Sequence, residues 1–127
     1  VGTVQRMPKT TGNSSLVNEL CLTGRNFNAA EAQKLGFISR IIEDAEHTFL
    51  KEALDLCQSI AINSPIAVVG TKKALLYARD HTVADSLEQI ISYNALALQS
   101  DDVSQSIEAA MAKRPATFPK LLAHSRL

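Results

Sequence analysis

An excess of charge of either sign is missing from this sequence: thirteen lysines and arginines balance thirteen aspartates and glutamates. Nucleic acids and membrane surfaces both favour basic stripes, so neither is expected as a partner. The balance leaves room for a local basic site that takes a single phosphate ligand. No apolar run is long enough to span a bilayer. Cysteine is scarce, with Cys21 and Cys57 alone. Their spacing matches no metal motif, so no metal is expected, and two buried, reduced thiols are favoured over a disulfide. His47 and His124 have no partners at metal-ligand spacing. No Ser/His/Asp arrangement and no phosphate-cradling glycine loop is found, and there are no internal repeats.

What is present is apolar and helical. Hydrophobic residues make up 46% of 127, enough for one domain that buries roughly two thirds of its unfolded surface. Gly2 to Met7 reads as a short helix stopped by Pro8. Gly12-Asn13 signals a turn, after which Ser14 or Ser15 caps a helix to Leu22 and Gly24 stops it. Asn28 caps a helix over 29–35, with Glu31 placed as a capping box requires, and Gly36 ends it. Residues 37–42, Phe-Ile-Ser-Arg-Ile-Ile, are the one good strand candidate.

The remaining pattern has helical periodicity. Residues 44–62 carry Phe49, Leu50, Ala53, Leu54, Cys57, Ile60 and Ala61 on one stripe. Ser64-Pro65 is a strong helix start, and that helix runs to about Arg79. Thr82 starts another, with Val83, Leu87, Ile90, Ile91, Asn94 and Leu98 on one face. Asp101 or Asp102 starts a last one, which Pro115 stops. A lone strand cannot satisfy its own backbone. Residues 37–42 must therefore pair outside this chain or remain an extended connection. The first residue is Val1 rather than Met, so processing or membership of a longer chain is expected.

Four stretches carry a resemblance. They are Gly2-Thr3-Val4-Gln5-Arg6-Met7-Pro8; Leu22-Thr23-Gly24-Arg25 with Ala29-Ala30-Glu31-Ala32 and Leu35-Gly36-Phe37-Ile38-Ser39; Ser64-Pro65-Ile66-Ala67 ahead of Lys72 and Lys73; and Lys113-Arg114-Pro115 with Phe118. In this order and spacing they resemble the crotonase family, also called the enoyl-CoA hydratase/isomerase family, over nearly the whole chain. Asn18-Glu19-Leu20 before Leu22-Thr23, and the run from Leu75 to Val83, look most like its dienoyl-CoA isomerases.

The resemblance implies a spiral of β-β-α turns followed by a C-terminal helical region. This chain is then mostly α, with about six helices and one short strand. Residues 1–42 would close the spiral core, and residues 43–127 would form the helical oligomerisation and lid region. In the family the spiral supplies the N–H groups that hold the thioester oxygen and the acids that move protons. The resemblance puts the last of those acids just before Val1. No catalytic residue is therefore expected in this chain, and the chain alone is expected to be inactive.

Among candidate residues, the resemblance places Lys113 near the adenosine-phosphate end of coenzyme A, often one bound by a neighbouring subunit. A lysine suits phosphate as a point charge. A solvated Lys113-Arg114 pair at a helix end is the alternative. The family often has Phe where this chain has Ala110. Val1 and Gly2 are placed beside the acyl pocket. Gln5 and Arg6 are read as fixing their helix against the spiral. Asp101-Asp102 is read as helix capping and dipole matching rather than a paired acid site, and His81 as a helix-end cation. Ser125-Arg126-Leu127 matches the small-basic-Leu pattern of a peroxisomal address read by an import receptor.

The expected function is that of a fragment of an acyl-CoA isomerase of fatty-acid β-oxidation, shifting 3,5-dienoyl-CoA double bonds to 2,4. The intact protein would be a homotrimer or a dimer of trimers, located in the peroxisome or a related organelle. Its partners would be the acyl-CoA and the missing N-terminal core, with no cofactor beyond the coenzyme A of the substrate. The alternatives are an enoyl-CoA hydratase of the same family and a non-catalytic helical assembly module.

Overall fold

The computed structural model describes residues 2–42 and 47–121, apart from the side chain of His47. The described residues form seven α-helices and no strand. The chain divides into two compact units, Val1–Phe49 and Leu50–Leu127.

The first unit holds α1 (Thr3–Thr10), α2 (Ser14–Thr23) and α3 (Ala29–Lys34). Helix α1 does not stop at Pro8 but runs through it. Proline removes one N–H there, yet Met7 is buried at 5% exposure and anchors the turn in the core. The carbonyls left at that end are taken by hydroxyls. Thr10 Oγ1 donates to the carbonyls of Arg6 and Met7, and Thr11 Oγ1 to that of Met7 at 3.0 Å.

The cap of α2 is Asn13, not Ser14 or Ser15: its Oδ1 accepts the Leu16 N–H at 3.1 Å. An Asn side chain reaches the third helical N–H from the turn itself, which leaves both serines inside the helix. Gly24 ends α2 at φ 64, the left-handed conformation that favours glycine. Asn28 caps α3 as expected, accepting from Glu31 N at 2.9 Å. Met7, Val17, Leu20 and Leu35 form the core, with Leu16 packed against it.

Residues 37–42 form no ladder. The N–H groups of Phe37 and Ile38 turn back to the Ala32 carbonyl, and the segment continues as an irregular connection. With no neighbouring strand to supply partners, pairing with the helix end is the remaining way to satisfy those N–H groups.

Helix α4 (His47–Ala61) starts at the end of the first unit and continues into the second, which also holds α5 (Pro65–Tyr77), α6 (Val83–Ala97) and α7 (Asp101–Met111). The expected start of α4 at residue 44 lies outside the described residues. Ser64 caps α5 through the Ala67 N–H at 3.2 Å, with Pro65 in the first turn. Thr82 and Asp85 form a reciprocal capping box on α6. Helix α7 begins after Ser100, so Asp101 and Asp102 are its first two residues rather than its cap.

The second unit packs chiefly where α5 crosses α6. The Tyr93 ring lies over Gly70, and its hydroxyl donates to the Ile66 carbonyl at 2.7 Å. Elsewhere the apolar faces are open. Leu87 is 58% exposed, Ile91 66% and Leu98 69%.

Both cysteines are unpaired, but they are exposed rather than buried. Cys21 follows buried Leu20 by one residue, a rotation of about 100° around the helix. Cys57 shares a helix with Phe49, Leu50, Leu54 and Ile60, which are exposed as well.

Candidate functional site

Lys113 sits at the C-terminal end of α7, exposed, with φ 50. Its N–H donates to the Ala110 carbonyl at 3.1 Å and the Arg114 N–H to that of Ala109 at 3.0 Å. These two bonds close the helix in the left-handed turn where glycine is the usual residue. A side chain in that conformation costs roughly 1–2 kcal/mol. A lysine therefore occupies a place where the backbone favours glycine, with its ammonium in solvent beside the negative end of the α7 dipole. Ala110, also exposed, lies one turn back.

Beside α7 lies a groove of about 860 Å³ bounded by α5, α6 and α7. Small residues of α5, Ala67, Gly70 and Ala74, line one side, and Leu87, Ile90 and Ile107 line the others. Asp102 is the one acidic residue that lines it. It is 5% exposed, and Ser64 Oγ donates to its Oδ2. That bond joins the N-terminal ends of α5 and α7 across 38 residues of sequence. The groove thus offers an apolar surface and no pair of carboxylates able to pass a proton.

His81 also lines the groove. Its Nδ1–H donates to the Tyr77 carbonyl at 2.8 Å, and its ring stacks on Tyr77 at 3.6 Å between centroids. This agrees with a helix-end structural role. Among the described residues, no three His, Cys, Asp or Glu side chains gather where they could hold a metal ion.

In the first unit, Gly2 caps α1 at φ 92, with the Arg6 guanidinium folded over it so that an added Cβ would lie 3.3 Å from Arg6 Cζ. Gln5 and Arg6 are exposed. Val1, the other residue expected at the acyl pocket, lies outside the described residues, as do His124, Ser125, Arg126 and Leu127. Arg25 ties α2 to α3 through Glu19 Oε1 at 3.0 Å and Glu31 Oε1 at 2.9 Å. Hydrogen bonds from Arg25 hold the Glu31 carboxyl below its ordinary value, with help from the backbone of Asn28 and against partial desolvation. The sequence pattern marks neither glutamate as an ion-pair partner. The arginine that gathers them is six residues from each, a spacing no helical pattern marks.

A family model described as enoyl-CoA hydratase/isomerase matches residues 1–120. The chain belongs to the enoyl-CoA hydratase/isomerase family. Among relatives of this family, the mitochondrial Delta(3,5)-Delta(2,4)-dienoyl-CoA isomerase of Pongo abelii is 47% identical over 124 residues, which are 95% of this chain and 38% of that protein. The peroxisomal enzyme of the same name from Arabidopsis thaliana is 36% identical over 126 residues, 95% of this chain and 43% of that protein. The crystal structure of an enoyl-CoA hydratase from Mycobacterium marinum superimposes with a TM-score of 0.82 at 27% identity, covering 92% of this chain and 45% of the other. The fold is thus that of a helical portion of the crotonase-type family fold, and the chain spans about two fifths of the length of these curated relatives.

Proposed function

We infer that this chain is the helical portion of a dienoyl-CoA isomerase, which moves the double bonds of a 3,5-dienoyl-CoA to the 2,4 positions. The observation that carries this reading is its 47% identity to the dienoyl-CoA isomerase of Pongo abelii, against 32% to the mitochondrial enoyl-CoA hydratase of the same organism. In the intact enzyme a base removes a proton from a carbon conjugated with the thioester. Backbone N–H groups hold the charge that develops on the thioester oxygen, and an acid returns a proton at the other end of the conjugated system. Those groups belong to the spiral core that precedes this region.

This chain contributes the surroundings. Residues 1–42 close the core and bring Val1 and Gly2 to the acyl pocket; residues 43–127 cover the site and join subunits in a trimer or a dimer of trimers. The open faces of α4 and α6 support that division, because covering each exposed leucine or isoleucine yields roughly 2 kcal/mol. Lys113 meets the phosphates of coenzyme A. Its support is a lysine kept in a left-handed turn that glycine would occupy at lower cost.

Assay of the whole protein that carries this region tests the activity. Conversion of 3,5-dienoyl-CoA to the 2,4 isomer is expected; hydration of a 2-enoyl-CoA with no isomerisation would favour the hydratase reading. For location, the Ser125-Arg126-Leu127 end supports a peroxisome. Deleting it should leave a fused reporter in the cytosol, and unchanged import would refute the address.

A further inference from the structure

The Ser64–Asp102 pair is a buried feature of the second unit that the proposed function leaves without a role. Asp102 is the single charged side chain buried among the described residues. Among the described residues no cation pairs with it. Its charge is met by Ser64 Oγ–H and by two helix N-termini: that of α7, in whose first turn it lies, and that of α5, which Ser64 caps. One hydroxyl serves both ends of the clasp, since Ser64 Oγ accepts the Ala67 N–H at 3.2 Å while donating to Asp102.

Little else holds α7. Ile107 is 55% exposed and Met111 82% exposed, and Ala109 is the other buried residue of the helix. A helix of 11 residues is a rod of about 16 Å. A small change of angle at its clasped end becomes a displacement of ångströms at the other, and that other end presents Lys113.

We propose that Asp102 is a positioning residue for the coenzyme A contact, fixing the direction of α7 so that the Lys113 ammonium meets the phosphates. This rests on the assignment of Lys113 made above. Asp102 itself touches no ligand, and its effect passes through the helix.

The test is titration of the whole protein that carries this region, core included, with coenzyme A at low and high ionic strength. Asp102→Ala should weaken binding roughly tenfold and flatten its salt dependence toward that of Lys113→Ala, as loss of one charge-assisted phosphate contact requires. Asp102→Asn keeps an acceptor for Ser64 and should bind within about twofold of the unsubstituted chain. A merely structural Asp102 would lower thermal stability and leave the salt dependence as it was, and that result overturns the proposal. Should Asp102→Ala not fold, Ser64→Ala decides: it removes the donor to Asp102 together with the side-chain cap of α5 and should reproduce the loss, while unchanged binding overturns the proposal. Unchanged binding by Lys113→Ala refutes the lysine assignment itself, and the Asp102 proposal falls with it. Failure of Asp102→Ala to weaken binding while Lys113→Ala does so refutes the Asp102 proposal alone.

Discussion

A Cβ placed on Gly70 would come within 2.2 Å of Cε1 in the Tyr93 ring. The contact joins α5 to α6 and leaves no space for even a methyl group. Gly70→Ala must therefore push the helices apart or drive Tyr93 from its rotamer, at a cost of roughly 1–3 kcal/mol. Tyr93→Phe keeps the ring and loses the hydrogen bond to the Ile66 carbonyl, for about 1 kcal/mol. Urea unfolding of both variants should rank Gly70→Ala as the more damaging; equal stability of Gly70→Ala and the unsubstituted chain would contradict the close packing.

Acid should weaken the first unit through Glu31. Its folded carboxyl is held below the ordinary value, chiefly by Arg25. The stability gained is full above the ordinary carboxylate value and is lost as pH falls through the lower, folded one. Asp85, held low by the side chain and backbone N–H of Thr82, acts in the same sense on α6. Glu31→Gln should thus lower stability at neutral pH and flatten the fall on the acid side. The check is a set of unfolding midpoints from neutral to acid pH. An acid fall as steep as in the unsubstituted chain would show that the Arg25 pair contributes nothing.

Much of the helical layout could be read directly because caps are local. Asn28, Ser64-Pro65, Thr82 and the left-handed Gly24 each mark a boundary within a few residues of the N–H or carbonyl they satisfy. Pro8 misled because a penalty for one missing N–H was set against nothing, whereas the buried Met7 beside it anchors that turn in the core. Residues 37–42 had strand composition and no strand to meet. The cysteines were judged by residue type, but burial depends on what covers a helix face. Lys113 was singled out through motif resemblance alone. The Ser64–Asp102 clasp was not, because each residue read completely as a helix start and 38 residues separate them.

Lys113→Gly separates backbone from side chain. Glycine takes the left-handed turn without the penalty, so the folded chain should gain up to about 1 kcal/mol once the extra freedom of the unfolded glycine is counted. The same change removes the ammonium and should weaken coenzyme A binding. Thermal melts and a ligand titration on one sample test both. Stability gained with affinity unchanged would mark Lys113 as a solvated helix-end residue.

The open face of α6 predicts association. Leu87 and Ile91 project from it largely exposed, so Leu87→Glu with Ile91→Glu should leave helical content intact while lowering the concentration-dependent mass seen by sedimentation. Unchanged mass would remove this face from the subunit contacts.

The central claim is that the proton-transfer groups lie outside this chain. The most direct measurement is an isomerase assay of the pure 127-residue chain with 3,5-dienoyl-CoA, following the 2,4-dienoyl product by its absorbance. No turnover above the buffer rate is predicted. Robust turnover by the isolated chain would contradict the account, because it would require catalytic acids among residues assigned here to capping, ion pairing and the support of α7.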